Sequence, residues 1–498
     1  MSNHGYLTLF GVVVIITFAF IIPSVFQALT ICIVLIVLSS TMLRLSSLIY
    51  IKKTTKYPKA DSSFSPFVSV HVACSSEPFR VVAKSLEYLS KLDYQNYEVV
   101  VFHNNNQDRD LVESIRKKCD ELGSKFHFLH QDYVEGYKAG ALDYVVQFMS
   151  IDAELVAIVD ADYHVDSDFL KDCVGYFIDP KVAIVQTPQS YRNSEHSKGL
   201  SLEYRSFFSI LMKKANNVGA VTFTGTMGII RADIIKEKKV AWNKYCITED
   251  TEIGLQIHML GYRAVYIDRA YGNGVMPFDY SSLRVQRLRW GYGNAQILTR
   301  YLKGILTSKS FHFLQRINLM NQLFAWLSPE LVLAMLYLIT SLLLVVNPND
   351  REINNVANLS VICLIISLAT YLTYFIVGLK VRKVSSLKDS LRAFLVHYGL
   401  LTAMSMSWLG LLLGQKLGFK ITSKTRRKKG KKEIGYIYEL VIPAILTVAI
   451  VIRILSGQAS LAETLAISII VSLILFSIGY LQRQLKRFKS VSIRNEKK

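Results

Sequence analysis

The chain has 498 residues, 51% of them apolar, so it exceeds one ordinary domain and has room for both membrane spans and a sizeable polar part. Its formal charge of +20 calls for an anionic partner, but the Lys and Arg clusters (Lys52, Lys53 and Lys56; Arg426 to Lys432; Lys486 to Lys498) flank apolar runs. That placement favours a lipid surface and argues against nucleic acid, while six scattered cysteines without a CxxC pair argue against a disulfide framework or zinc site and suit a reducing compartment.

In chain order, residues 6–26 and 28–48 are each apolar over the length of a membrane crossing. The first lacks a basic start and a small-residue cleavage site, so residues 1–50 read as two anchoring helices. Residues 51–295 then alternate strand-like and helix-like stretches. Phe67–Ala73, Glu98–Phe102 and Leu155–Val159 are short β-branched runs typical of buried parallel strands. Arg80–Lys91 and Asp110–Leu122 between them carry helical patterns. This alternation predicts an α/β doubly wound, mostly parallel sheet whose ligand sits beyond the carboxyl ends of the strands. Residues 296–322 read as amphipathic interface helices, 323–380 and 436–482 as transmembrane hairpins, and 483–498 as a basic tail. Within 381–435, the stretch 388–414 reads as an amphipathic helix on the membrane surface, followed by a basic loop; counting it as a span would put that loop outside. Six spans result, with both termini inside and residues 49–322 and 380–435 cytoplasmic.

Three motifs could carry chemistry. Asp160-Ala161-Asp162 follows the strand Leu155–Val159, and two carboxylates at a strand end suit a hard divalent cation that also binds phosphate. The plain alternative is an acidic turn, with Asp166 and Asp168 nearby. Thr248-Glu249-Asp250 opens a helix over Thr251–Leu260, where a Thr cap and acids facing the helix dipole are ordinary; the functional alternative is Asp250 as general base. On a helix Gln286, Arg289 and Trp290 share one face, offering an amide, a guanidinium for diphosphate oxygens and a ring for a sugar. A basic amphipathic surface helix including Arg284 and Arg287 is the plain alternative there. Phe419 to Lys424 reads by default as a solvated charge run.

In this order and between these spans, the motifs resemble those of the processive family 2 glycosyltransferases, the cellulose, hyaluronan and curdlan synthases among them, over roughly Phe67 to Lys424. Further matches are Cys74-Ser75-Ser76-Glu77-Pro78, Lys138-Ala139-Gly140-Ala141-Leu142, Gln186-Thr187-Pro188-Gln189, Phe223-Thr224-Gly225-Thr226 and the gating-loop-like Phe419 to Lys424. The resemblance implies a GT-A type domain that takes a nucleotide sugar, UDP-glucose or a relative, and extends a β-linked polysaccharide with inversion, the product leaving through a membrane channel. It implies Mg²⁺ or Mn²⁺ on Asp160 and Asp162, and Asp250 as base, with Glu249 and Thr248 beside it. Ser75, Glu77, His103, Asn105, Lys138, Asp160, Gln286, Arg289 and Thr422 would hold the donor, and Trp290, Phe223, Gly225 and Thr226 the acceptor.

Two positions depart from the family pattern: His103 stands where an acid that helps hold the uracil base is usual, and Ala141 replaces Asn. His and Asn still offer hydrogen bonds at the first, leaving the nucleotide preference open. The competing readings are a transferase adding one sugar to a lipid carrier, and a transporter or receptor that merely binds nucleotide. Against the latter, the ionisable residues Glu330, Arg453 and Glu463 within the spans lie near their ends or turns. The sugar, the linkage, accessory subunits and self-association are not specified.

Overall fold

The computed structural model describes residues 23–49, 64–277, 279–381, 383–414 and 435–495. The expected first span apart from its last four residues, and the Phe419–Lys424 loop with Thr422, lie outside them.

The expected strands and helices of the α/β region form within one or two residues of their predicted bounds. Strand β1 (Val68–Cys74) pairs in parallel with β2 (Tyr97–Asn104), and β2 with β3 (Phe126–Gln131). On its other side β1 pairs in parallel with β4 (Leu155–Ile158). Every residue of β2 and β4 is buried, as expected of strands covered on both faces. Even His71 in β1 is enclosed, and burial pushes its pKa down to about 3, so it stays neutral. The covering helices follow sequence periodicity. Helix α1 (Phe79–Leu89) turns Val82, Ala83, Leu86 and Leu89 inward. Helix α2 (Arg109–Leu122) is capped by the Asp108 carboxylate, which accepts from the Leu111 amide at 3.1 Å.

The seven-stranded order β3-β2-β1-β4-β8-β6-β9 is completed by β6 (Val182–Gln186), β8 (Gly228–Arg231) and β9 (Arg263–Tyr266). Strand β8 runs antiparallel to both β4 and β6. The loop entering β8 therefore arrives at the end where β4 leaves the sheet. A three-stranded sheet of β5 (His164–Val165), β10 (Gly272–Gly274) and β7 (Ser190–Tyr191) stands beside that end and brings Val275 to Asp162.

Helix α3 (Tyr137–Val145) covers β1 and β2, α4 (Lys198–Ser206) continues through a π-helical turn at Phe207–Met212, and α5 is Glu249–Met259. A long helix, α6 (Tyr280–Thr307), leads from the sheet into the helical part, followed by α7 (Phe313–Phe324), α8 (Glu330–Val346) and α9 (Arg351–Val381). The chain closes with α10 (Leu387–Tyr398), α11 (Leu401–Leu412), α12 (Val441–Leu455) and α13 (Leu461–Asn495).

Among the described residues four stretches are long and apolar enough to cross a membrane: Arg351–Lys380, Leu387–Leu412, Tyr436–Leu455 and Leu461–Arg487. Thr30–Ser46 and Glu330–Val346 are shorter apolar helices. The segment expected as one amphipathic surface helix is instead two helices meeting at Gly399, with most of its side chains covered by α4, α6, α9 and α13. The polar groups that gave it an amphipathic look point inward to partners, as His397 does to Glu203. The ionisable groups noted within the apolar runs are also paired: Arg453 with Glu463, and Glu330 with Ser367.

Candidate active site

A cleft of about 310 Å³ opens beyond the carboxyl ends of β1, β2 and β4, where a doubly wound sheet is expected to bind its ligand. Its wall includes Ser75, Glu77, Asn105, Lys138, Asp160, Asp162, Gly225, Thr248, Glu249, Asp250, Gln286, Arg289 and Trp290. These were singled out in the sequence from seven separate stretches. Lys138 and Arg289 lie near three of its acids, Asp160, Glu249 and Asp250.

Asp162 is fully buried; its Oδ2 accepts from the Val275 amide at 3.0 Å, and its main-chain oxygen accepts from Arg192 at 2.7 Å. Asp160 is partly exposed and forms a 2.5 Å ion pair with Lys138. The Lys138 ammonium also donates to the Gly225 carbonyl at 2.8 Å. Burial alone would lower the Lys138 pKa, but Asp160, Glu249 and Asp250 hold it above the ordinary lysine value, so this cation is retained for an anionic ligand. Arg289 lies close enough to Glu249, Asp250 and Asp160 to feel their charge, although burial holds its pKa below the usual arginine value.

Thr248 precedes α5 but its hydroxyl makes no capping bond; the side chain instead packs against Gly293 of α6, where any Cβ would collide. Burial first, and the Asp250 charge second, push Glu249 up to about 7. Burial also raises Asp250, against the Thr251 amide, which donates to its Oδ1 at 2.7 Å. Two adjacent carboxyls thus line one cleft, and burial favours the neutral form of both.

The segment 223–226 explains its own sequence. Gly225 has φ +78, and a Cβ there would stand 2.6 Å from Asp250 Oδ2. Gly225→Ala is therefore expected to lower turnover about 100-fold by displacing that carboxylate, with the fold retained by circular dichroism. Two glutamines of the Gln186–Gln189 stretch hold the segment. Gln186 accepts from the Thr224 amide at 3.0 Å and donates to the Thr226 carbonyl at 3.0 Å, and Gln189 donates to the Thr224 carbonyl at 2.7 Å.

Several expected ligand contacts are corrected. Phe223 is fully buried in the core against Gly228 and Gly254, not on the cleft wall. Thr226 is buried too; its hydroxyl accepts the Asp160 amide at 3.0 Å and so supports an acid instead of touching an acceptor. His103 is enclosed at the end of β2, with its Nδ1 3.1 Å from His130 Nδ1 on the neighbouring strand, and is not part of the cleft wall. Asn105 does line the cleft, yet its amide is engaged: Nδ2 donates to the Val134 carbonyl at 3.1 Å and Oδ1 accepts the Val134 amide at 2.8 Å. It braces the turn 132–137. Gln286 similarly accepts from the Tyr204 hydroxyl.

The sequence reading missed an extension of the cleft. Beyond Asp250 and Trp290 a further space of about 80 Å³ is walled by Tyr204, Phe207, Phe208, Trp326, Thr222, Asn294 and Gln322. Trp290 and Trp326 lie 4.7 Å apart between ring centroids at 53°. Apolar rings among amides and hydroxyls suit the faces and edges of a sugar. The π-helical turn, a feature common at functional sites, turns Phe207 and Phe208 toward this space. Tyr204, Phe207, Phe208 and Trp326 come from two separate stretches and belong to no motif singled out in the sequence.

Residues 69–238 match the family described as glycosyl transferase family 2, and residues 155–377 match glycosyl transferase family group 2. Glucomannan 4-beta-mannosyltransferase 1 of Cyamopsis tetragonoloba is 29% identical over 228 residues, 43% of this chain and 42% of the relative. Glucomannan 4-beta-mannosyltransferase 7 of Arabidopsis thaliana is 28% identical over 261 residues, 49% of this chain and 46% of the relative. The match thus spans less than half the length of either relative. Among solved structures, a mannosyltransferase from Pyrobaculum calidifontis in complex with GDP-Man and Mn²⁺ aligns with 74% of this chain and 97% of its own, at a TM-score of 0.48 and 16% identity. The mostly parallel sheet and its cleft have a GT-A type fold joined to apolar helices, and residues 69–377 are similar to family 2 glycosyltransferase domains.

Proposed function

We propose that this chain, built around a family 2 glycosyltransferase domain, transfers hexosyl units from a nucleotide-activated sugar to the end of a β-linked polysaccharide, repeatedly and with inversion. The observation that carries the reading is one cleft walled by Asp160, Asp162, Asp250, Arg289 and Trp290. The donor we infer is GDP-mannose in place of the UDP-glucose expected from sequence. The two relatives named above are mannosyltransferases of glucomannan, and the residue standing where a uracil-holding acid is usual, His103, is buried and turned to His130.

In this mechanism the terminal sugar of the polymer lies on Trp290, with the next ring in the space toward Trp326. Its hydroxyl oxygen attacks the anomeric carbon from the face opposite the diphosphate. The new C–O bond forms as the bond to the diphosphate breaks, and the electron pair leaves with the diphosphate. Asp250 takes the hydroxyl proton. Arg289 and Lys138 offset the charge that grows on the leaving oxygens. The residues present suit Mg²⁺ or Mn²⁺: Asp160 and Asp162 line one cleft, and their carboxylates would hold such an ion. When bound, such an ion supplies Lewis-acid stabilisation of the diphosphate. The apolar helices suit delivery of the product across a bilayer, with the catalytic domain on the cytoplasmic face.

The test is incubation of membranes carrying the full chain with radiolabelled GDP-mannose, UDP-glucose and UDP-N-acetylglucosamine. The expected product is a long polymer from GDP-mannose that endo-β-mannanase digests. Single-sugar lipid products, or no polymer from any donor, overturn the reading. Trp290→Ala is expected to slow elongation about 100-fold and donor hydrolysis far less; assaying the two side by side checks this, and equal losses remove Trp290 from the acceptor.

A further inference from the structure

Helix α6 carries an arginine that the proposed chemistry does not use. Arg287 lies between Gln286 and Arg289, yet it is fully buried and lines neither the cleft nor its extension. It is therefore not the membrane-surface cation that a basic amphipathic helix would present. Its Nη2 donates to the Glu203 carboxylate of α4. Its guanidinium carbon stands 4.3 Å from the ring centroid of Tyr204, 4.4 Å from that of Trp290 and 4.8 Å from that of Trp326. Its Nε and Nη1 have no hydrogen-bond acceptor among the described residues. Glu203 Oε1 in turn lies 3.1 Å from His397 Nδ1 on α10. Three helices distant in sequence thus meet at one buried cluster.

Stability alone is a weak reason for such a group. A buried ion pair is often replaceable by apolar side chains of similar volume with little loss. What an apolar residue would not supply is an orienting field: a cation attracts the faces of aromatic rings and so biases their tilt. The three rings it touches all wall the extension, Trp290 walls the cleft as well, and the Tyr204 hydroxyl is the group that donates to Gln286.

We infer that Arg287, held by Glu203, is a positioning residue that sets the aromatic platform on which the acceptor sugars rest. The inference rests on the acceptor reading given above. The test uses the full chain in membranes, with mannohexaose and cellohexaose as acceptor probes, and measures KM for acceptor and for GDP-mannose separately, together with donor hydrolysis. Arg287→Met is expected to raise the acceptor KM about tenfold, with donor KM and hydrolysis within about twofold. Arg287→Lys, which keeps the charge, is expected to recover part of that loss. Should Arg287→Met fail to fold, Arg287→Gln keeps a hydrogen bond to Glu203 without the cation and is expected to show the same acceptor-selective loss.

A wild-type acceptor KM in the Met or Gln variant overturns the inference, and so does an equal rise in donor and acceptor KM, which would indicate a general structural role. Wild-type enzyme that extends neither oligosaccharide overturns the functional reading along with it. Normal wild-type extension with an unaltered variant overturns this inference alone.

Discussion

Asp250→Asn is expected to lower sugar transfer about 1,000-fold while donor affinity stays within about threefold. Asn keeps the size of the side chain, and its Oδ1 can still accept the Thr251 amide, so Gly225 and the helix start have no reason to move. What is lost is a carboxylate able to take a proton. Transfer rates beside calorimetric donor binding check this, and unchanged turnover would remove Asp250 from the role of base. The same pocket sets a pH dependence. Burial favours the neutral carboxyls, raising Asp250 and pushing Glu249 up to about 7, so lowering the pH through that value protonates Glu249 beside the base and should reduce transfer; raising it restores the Glu249 anion. Glu249→Gln removes the group titrating there and should move the acidic limb of the rate profile downward by about one pH unit. A limb that stays in place would assign it to another group.

The second large effect belongs to Asp162. Asp162→Asn is expected to cost about 100- to 1,000-fold in transfer and to abolish stimulation by added Mn²⁺ or Mg²⁺. The fully buried side chain has its Oδ2 held by the Val275 amide, an interaction that the Asn oxygen can keep. The substitution therefore removes charge with little change in shape. Metal titrations of transfer and of donor binding are the measurement, and a variant that responds to metal as the wild type does would exclude Asp162 as a ligand. Asp160→Asn differs in kind, because it also releases Lys138 from a 2.5 Å ion pair.

The parts of the site that were readable in the sequence are local ones. Asp160 and Asp162 follow a run of buried β-branched residues, and a strand end has only a short list of places to be in a doubly wound sheet. Gln286, Arg289 and Trp290 share a face because 3.6 residues per turn make them do so, and all three do line the cleft. The plain alternative, a basic surface helix that includes Arg287, does not hold for that residue, which is buried: helical spacing states which residues are neighbours but not what covers them. Phe223 and Thr226 were assigned to the acceptor from their motif. The structure gives one to the core and the other to the support of Asp160.

Periodicity thus determined by itself the sheet class and most of the apolar helices, and strand-end placement marked Asp160 and Asp162, because each depends on interactions within a few residues; Asp250 as base came only from the family resemblance. Only the tertiary structure decided that β8 runs antiparallel, which delivers Gly225 to Asp250 and Thr226 to Asp160. It alone assembled the rings of Tyr204, Phe207, Trp290 and Trp326 around the far end of the cleft, and buried Arg287 and Glu203 against three of those rings and His397. The physical reason is the same in each case. Strand order and the meeting of distant helices are settled by which apolar and charged surfaces bury one another, a long-range choice that no short window of residues encodes.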